Sequence, residues 1–302
     1  MTGETRGKPR AAILLPIIAG ACWGIAGIFV RGLAAAGLDN PTIVMTRTAM
    51  CAMLTFIYIL LTDRGKLRMK WGDMPFVLAM GFFGSILLMV AYNVAALELS
   101  LSLAALLLNL APVFVLLISA LLFHERITGK KVICMVLAFG GCALLSGVFE
   151  GQSALQWTAL GLLMGLASAL CNAIYILMSK VLAGKGYSPF TVTFYMALFA
   201  SIILIPFTDW SALTGYVVSD PAGSMTYLLV QSIVTSLLPG IVQIVAMRYI
   251  EAGKTAILQS GAEPSAALVA GIILFGEVPS AAGFAGLVIT VIALMILVGD
   301  KS

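Results

Sequence analysis

The chain has 302 residues, of which 61% are hydrophobic and 10% charged, and its mean hydropathy is +1.10. A soluble domain carries about 25% charged residues, so this composition excludes a soluble globular protein and leaves too little polar sequence for a second, soluble domain. The net charge of +4 is not the footprint of a nucleic-acid partner, because the lysines and arginines follow a membrane topology.

Arg6, Lys8 and Arg10 precede an apolar run in the manner of a signal peptide. The run from Ala11 has a counterpart later in the chain, which predicts a retained structural helix. A helix needs about 20 mostly apolar residues to cross the hydrocarbon core. In chain order the candidate runs are Ala11–Val30, Pro41–Thr62, Met74–Leu97, Leu99–Phe123 and Val132–Phe149. They continue as Trp157–Ser179, Ser188–Thr208, Met225–Met247, Thr255–Phe275 and Ala281–Val298. Two runs meet at Glu98, and one helix from Met74 to Phe123 would far exceed a bilayer's thickness, so the chain must turn there. The expected fold class is an all-α polytopic membrane protein with ten transmembrane helices. All five cysteines lie inside apolar runs, which gives no disulfide framework.

Orientation follows from lysine and arginine, which concentrate in cytoplasmic segments. With the N-terminus inside, 15 of the 17 lysines and arginines fall in cytoplasmic segments, Arg31 falls outside and Arg47 lies within the second run. Both termini are therefore expected in the cytoplasm. The chain also repeats. Ala111-Pro112 followed by Phe123-His124-Glu125 matches Glu263-Pro264 followed by Phe275-Gly276-Glu277 at one offset. Cys22-Trp23 aligns with Cys171-Asn172, Arg31 with Lys180, Gly37 with Gly186, and Pro41 falls near Pro189. The units are residues 1–150 and 151–302, with five runs each. An odd number forces the second unit to insert upside down, and inverted repeats are a hallmark of alternating-access transporters.

These residues carry a resemblance. Trp23-Gly24 in the first run, Pro41 and Arg47 in the second, and the paired patterns from Pro112 to Glu125 and from Pro264 to Glu277 resemble the EamA-type family of the drug/metabolite transporter superfamily, across essentially the whole chain. The resemblance implies a ten-helix inverted-repeat carrier in a bacterial inner membrane. Its central cavity would be lined by the first, third, fourth, sixth, eighth and ninth spans. Its substrates would be small metabolites, often amino acids or related compounds, commonly exported. The chain departs from the pattern at Asn172, where second halves in this family often carry tryptophan.

Glu263 is the one carboxylate in the middle of an apolar run. A charge at bilayer depth costs roughly 2.5–3.5 kcal/mol on insertion scales, and such residues face a protein interior or a wet cavity. Pro264 beside it cannot donate a backbone hydrogen bond, and Gln259 lies one turn earlier on the same face. Glu263 either lines a substrate cavity or is a structural acid bonded to a neighbouring helix; the first reading is preferred. Asn93, Asn109, Asn172 and Gln243 offer hydrogen bonds to a polar solute or between helices, as does Gln231. Trp23, Tyr92 and Tyr175 could form an aromatic lining or a cage for a cationic head group, whereas Trp157 and Trp210 sit at span ends and read as interface anchors. Arg47 could neutralise Glu263 or a substrate anion, but reads mainly as a residue that snorkels from a peripheral span. Glu125 and Glu277 are expected to fix helix ends or gates, and glycine pairs such as Gly20 and Gly24 to permit close helix approach.

His124 is the only histidine, so no metal site is expected. No nucleotide-binding glycine loop and no cofactor are implied. The candidate residues supply no nucleophile, base and orienter together, which argues against an enzyme. The leading reading is a secondary transporter, and by resemblance an exporter, of a small polar metabolite such as an amino acid or another amine-bearing compound. The alternatives are an uptake carrier for a quaternary ammonium or other small cation, and a channel or receptor. Expected partners are the small-molecule substrate and membrane lipid; the sequence leaves monomer and homodimer both open.

Overall fold

The structure, a computed structural model, describes residues 10–99, 101–145, 158–275 and 280–298. Its regular secondary structure in these segments is helical. α1 (Leu14–Ala35) breaks after Gly24 and ends at Gly37, whose φ of 90° lies in the left-handed region that favours glycine. There the Leu38 N–H returns to the Leu33 carbonyl at 3.1 Å, closing the helix. α2 (Asn40–Thr62) starts at Asp39, whose carboxylate accepts the Thr42 N–H at 3.1 Å, with Pro41 in the first turn. The same corner recurs where α6 (Ala159–Gly184) passes Gly186, at φ 80°, into α7 (Pro189–Leu204).

α3 comprises Met74–Gly81, a wider π-turn segment Phe82–Leu87, and Leu88–Glu98. α4 follows as Leu101–Leu108 and Ala111–Phe123, so the chain does turn at Glu98. α5 is Gly129–Leu145. After α7 comes a short helix that the apolar runs do not predict, α8 (Trp210–Ser219). It forms because Asp209 accepts the Ala212 N–H at 2.9 Å. Asp220 likewise caps α9, which starts at Pro221 rather than Met225 and runs as Pro221–Ser232, a π-turn segment Ile233–Leu237, and Leu238–Tyr249. α10 (Ala252–Phe275) contains Pro264, and α11 (Ala281–Val298) closes the described chain. Trp157, Glu277 and the basic residues Arg6, Lys8 and Lys301 lie outside the described residues.

The closest packing joins α5 to α11, α1 to α10, α2 to α7, and α6 to α3 and α4. Each pairing crosses from residues 10–145 to residues 158–298, so the two parts interlock. Val115, Ile176, Ile244 and Met247 are buried where α4, α6 and α9 meet; Ile257, Leu258, Leu294 and Leu297 are buried between α10 and α11. The outer surface is apolar as well: Leu121, Leu163 and Ile273 are exposed. Among the described residues, seven helices are long and apolar enough to cross a membrane. An apolar perimeter around a close-packed helical interior is stable in lipid, where every backbone polar group must be satisfied within the helices. The chain is an all-α polytopic membrane protein.

Candidate functional site

Helix irregularity concentrates around one cavity of about 260 Å³. Trp23 and Ala26 reach it from either side of the break in α1, and Leu108 from the break in α4. Gly84 and Ser85 come from the π-turn of α3, Thr235 and Ser236 from that of α9. Such wide turns are rare and occur often at functional sites. Asn172 and Tyr175 of α6, Met196 of α7, Arg47 of α2 and Glu263 of α10 complete the wall. Trp23 and Tyr175 pack edge to face with ring centroids 6.0 Å apart.

The position of Glu263 follows from its helix contacts. Gly20 and Gly24 bring the backbone of α1 against the carbonyls of Gln259 and Glu263, where any β-carbon would collide with them. Pro264 has no N–H, so the Ser260 carbonyl one turn earlier is freed, and it accepts the Cys142 thiol at 3.6 Å. The Glu263 carboxylate itself makes no hydrogen bond or ion pair among the described residues. Below it lies a pocket of about 20 Å³ lined by Asn109, Asn172, Gln259 and Glu263. Asn109 is committed there to the protein: its Oδ1 accepts from Ser260 Oγ at 2.8 Å, and its Nδ2 donates to the Ala105 carbonyl at 3.0 Å. The Gln259 Oε1 is buried without a partner.

On the other side the cavity continues into a vestibule of about 710 Å³ that reaches Val30 and Asn40, where α1 turns into α2. Arg47, Gly84, Ser85 and Leu88 line both spaces. Tyr92 and Asn93 face this vestibule and not the inner cavity. The residues read from sequence thus divide. Trp23, Asn172, Tyr175 and Glu263 share the cavity, Asn109 and Gln259 flank it, and Tyr92 and Asn93 stand at its approach. Gln243 lines none of these spaces; it is fully buried in the part of α9 that packs on α1 and α6, and its amide has no partner among the described residues. Gln231 is likewise buried in α9. The cavity wall also holds Arg47, which the sequence reads mainly as a snorkelling residue, and Gly84-Ser85 and Thr235-Ser236, which the sequence reading does not single out. Their signal was a small polar pair interrupting the third run and another interrupting the eighth. The second and seventh spans also contribute to the wall, through Arg47 and Met196, because α2 and α7 pack on each other beside the cavity.

The end of the bundle opposite the vestibule is tied by polar contacts between the two parts of the chain. Lys185 Nζ lies 2.5 Å from Asp73 Oδ1, and the Tyr187 hydroxyl donates to Asp73 Oδ2 at 2.5 Å. That bond to the Asp73 carboxylate holds the Tyr187 phenol above its ordinary pKa. Thr191 and Tyr195 donate to the carbonyls of Lys66 and Leu67 at 2.6 and 2.7 Å. Lys131 pairs with Glu251. Glu125 accepts the N–H groups of Ala252 and Gly253 at 2.9 and 3.2 Å, capping α10 from the other part of the chain. At the vestibule end the described cross-links include the Asp209 N–H to Thr42 Oγ1 at 2.8 Å and two longer bonds, Thr158 Oγ to the Glu98 carbonyl at 3.4 Å and the Tyr227 hydroxyl to the Phe29 carbonyl at 3.5 Å.

With this geometry in place, the comparisons define the class. The family model of the EamA-like transporter family matches residues 10–147 and again 159–299. The chain belongs to that family, the EamA-type branch of the drug/metabolite transporter superfamily. An uncharacterized transporter of Archaeoglobus fulgidus is 34% identical over 185 residues, which are 61% of this chain and 63% of that protein, so the match spans a little under two thirds of the relative's length. The pseudopaline exporter of Pseudomonas aeruginosa is 26% identical over 97% of each chain. A solved crystal structure shares the fold, with a TM-score of 0.75 over 95% of this chain and 96% of its own, at 17% identity.

Proposed function

We propose that this protein is a secondary carrier that exports a small polar, amine-bearing metabolite, such as an amino acid, by alternating access around the cavity that holds Glu263. The observation that carries this reading is the Glu263 carboxylate, set without a protein partner among the described residues into a cavity between the two interlocked parts of the chain. A fixed anion beside the Trp23–Tyr175 pair suits a solute ammonium. The two parts, residues 1–150 and 151–302, are read as five-helix repeats of opposite topology, ten spans in all. Support comes from the two successive family matches, the glycine corners at Gly37 and Gly186, and the π-turns of α3 and α9. The lysine and arginine distribution supports both termini in the cytoplasm of a cell membrane. On that orientation the tied end is cytoplasmic and the vestibule faces outward. Rocking of one repeat against the other would release Asp73, Lys185 and Tyr187 and close the vestibule. Export is supported by the name of the Pseudomonas relative.

Purified protein should first be screened with amino acids and amines for ligands that raise its melting temperature, as binding to the native state does by mass action. Flux of the best ligand into proteoliposomes is expected to saturate and to be accelerated by ligand on the far side. Flux that stays linear with concentration would indicate a channel and reject the carrier. The same aromatic pair favours a second reading, uptake of a quaternary ammonium. Competition by choline equal to that of primary amines would select it.

A further inference from the structure

Arg47 is left unused by that reading. It stands on the wall shared by the cavity and the vestibule, while Glu263 stands on the wall shared by the cavity and the small inner pocket. Its Nε is buried without a partner, and no hydrogen bond or ion pair reaches the guanidinium among the described residues. The side chain lines the cavity and the vestibule, so it reaches into the bundle and not along its lipid-facing perimeter. Ser232 Oγ donates to the Arg47 carbonyl at 2.8 Å, which holds α2 against α9 at this level. A guanidinium stays charged at any pH a protein meets, and a half-buried charge inside the bundle is unfavourable without an anion to meet it. The other charged group lining the cavity, Glu263, makes no ion pair with it. Two opposite charges therefore share one cavity without neutralising each other.

We propose that Arg47 is the anion subsite of this cavity and selects solutes that carry a carboxylate as well as an ammonium. This rests on the reading of Glu263 as the ammonium anchor. The carboxylate meets the planar fork of Arg47 on the vestibule side, a geometry that lysine does not reproduce. The ammonium meets Glu263 on the inner side, and the solute side chain lies along Trp23 and Tyr175. A zwitterion satisfies both charges. A plain amine leaves Arg47 bare, and a plain acid faces Glu263, so the pair discriminates by what it leaves unmatched as much as by what it binds.

The test uses the full chain in detergent and the L-α-amino acids as probes, with the methyl ester and the decarboxylated amine of each amino acid that shifts the melting curve. Both derivatives keep the ammonium and lose the anion. Wild type is expected to bind the acid at least about tenfold more tightly than the ester, the scale of one charge-assisted pair. Arg47→Gln should lose that preference while keeping its affinity for the ester, and Arg47→Lys should recover part of it. Glu263→Gln should weaken acid and ester alike. Equal binding of acid and ester by wild type, or an unchanged preference in Arg47→Gln, overturns the proposal. The wild-type comparison decides alone if Arg47→Gln does not fold. Binding of esters and amines without the acids would leave Glu263 as the anchor and remove Arg47 from recognition. Binding of none of these probes would reject the Glu263 reading itself, and the Arg47 subsite with it.

Discussion

Glu263 brings an ionisable group into an apolar bundle at an insertion cost of roughly 2.5–3.5 kcal/mol, and the structure gives it a cavity rather than a protein partner. Two uses fit that placement, a fixed anion for a solute ammonium or a proton exchanged for solute. Glu263→Gln separates them. As a fixed anion its loss should lower affinity by about tenfold or more in gradient-driven transport and in counterflow alike. As a proton carrier its loss should stop gradient-driven transport and spare counterflow. The first outcome is expected, because no second carboxylate lines the cavity among the described residues to relay a proton; transport like wild type in both assays would make Glu263 structural. Its conspicuousness in sequence came from polarity alone, a carboxylate inside an apolar run. Arg47 was legible as a charge but not as a wall residue, since that depends on how α2 packs against α7 and α9. Gln243 presents the opposite case, a polar residue that lines none of the spaces described. An amide in a span looks the same whether its face meets a cavity or another helix, and here it is buried between helices.

At the scale of elements, the contact of α1 with α10 sets the depth of the site. A side chain at Gly24 would overlap the Glu263 carbonyl. Gly24→Val is expected to destabilise the protein by about 1–3 kcal/mol, the usual cost of overpacking, and to weaken ligand binding as well. Thermal melting with and without ligand checks both, and an unchanged melting temperature would contradict the close approach. Gly84 in the π-turn of α3 lies against the ring of Tyr175. Gly84→Ala should push that ring from its contact with Trp23, and the change would register in tryptophan fluorescence. The helices were legible because an apolar run of about 20 residues has few other uses. The irregularities were only half legible. Pro112 and Pro264 mark the disturbed turns of α4 and α10, and Pro239 follows the π-turn of α9, whereas no proline stands in or just after the π-turn of α3. Helix α8 was missed because it is ten residues long and owes its start to the Asp209 cap.

For the whole molecule, the proposal is that two interlocked repeats rock about the cavity and that the Asp73 cluster holds one end shut. Asp73 accepts from Lys185 and Tyr187 across the two parts of the chain. Partly exposed ion pairs contribute about 0.2–1 kcal/mol, so Asp73→Asn should shift the balance of the two end states about two- to fivefold without unfolding the protein. Repetition was visible in the matched prolines and glycines, but the cross-links were not, because they join segments more than a hundred residues apart. The measurement that bears most directly on alternating access places a cysteine at Ser236, on the cavity wall, in a chain whose five native cysteines are buried. Its reaction with a membrane-impermeant maleimide is followed from each side of sealed, oriented vesicles, with and without Asp73→Asn. The account predicts faster labelling from the vestibule side, and reciprocal changes on Asp73→Asn, slower from that side and faster from the other. Rates that rise together, do not change, or are absent from both sides would contradict it.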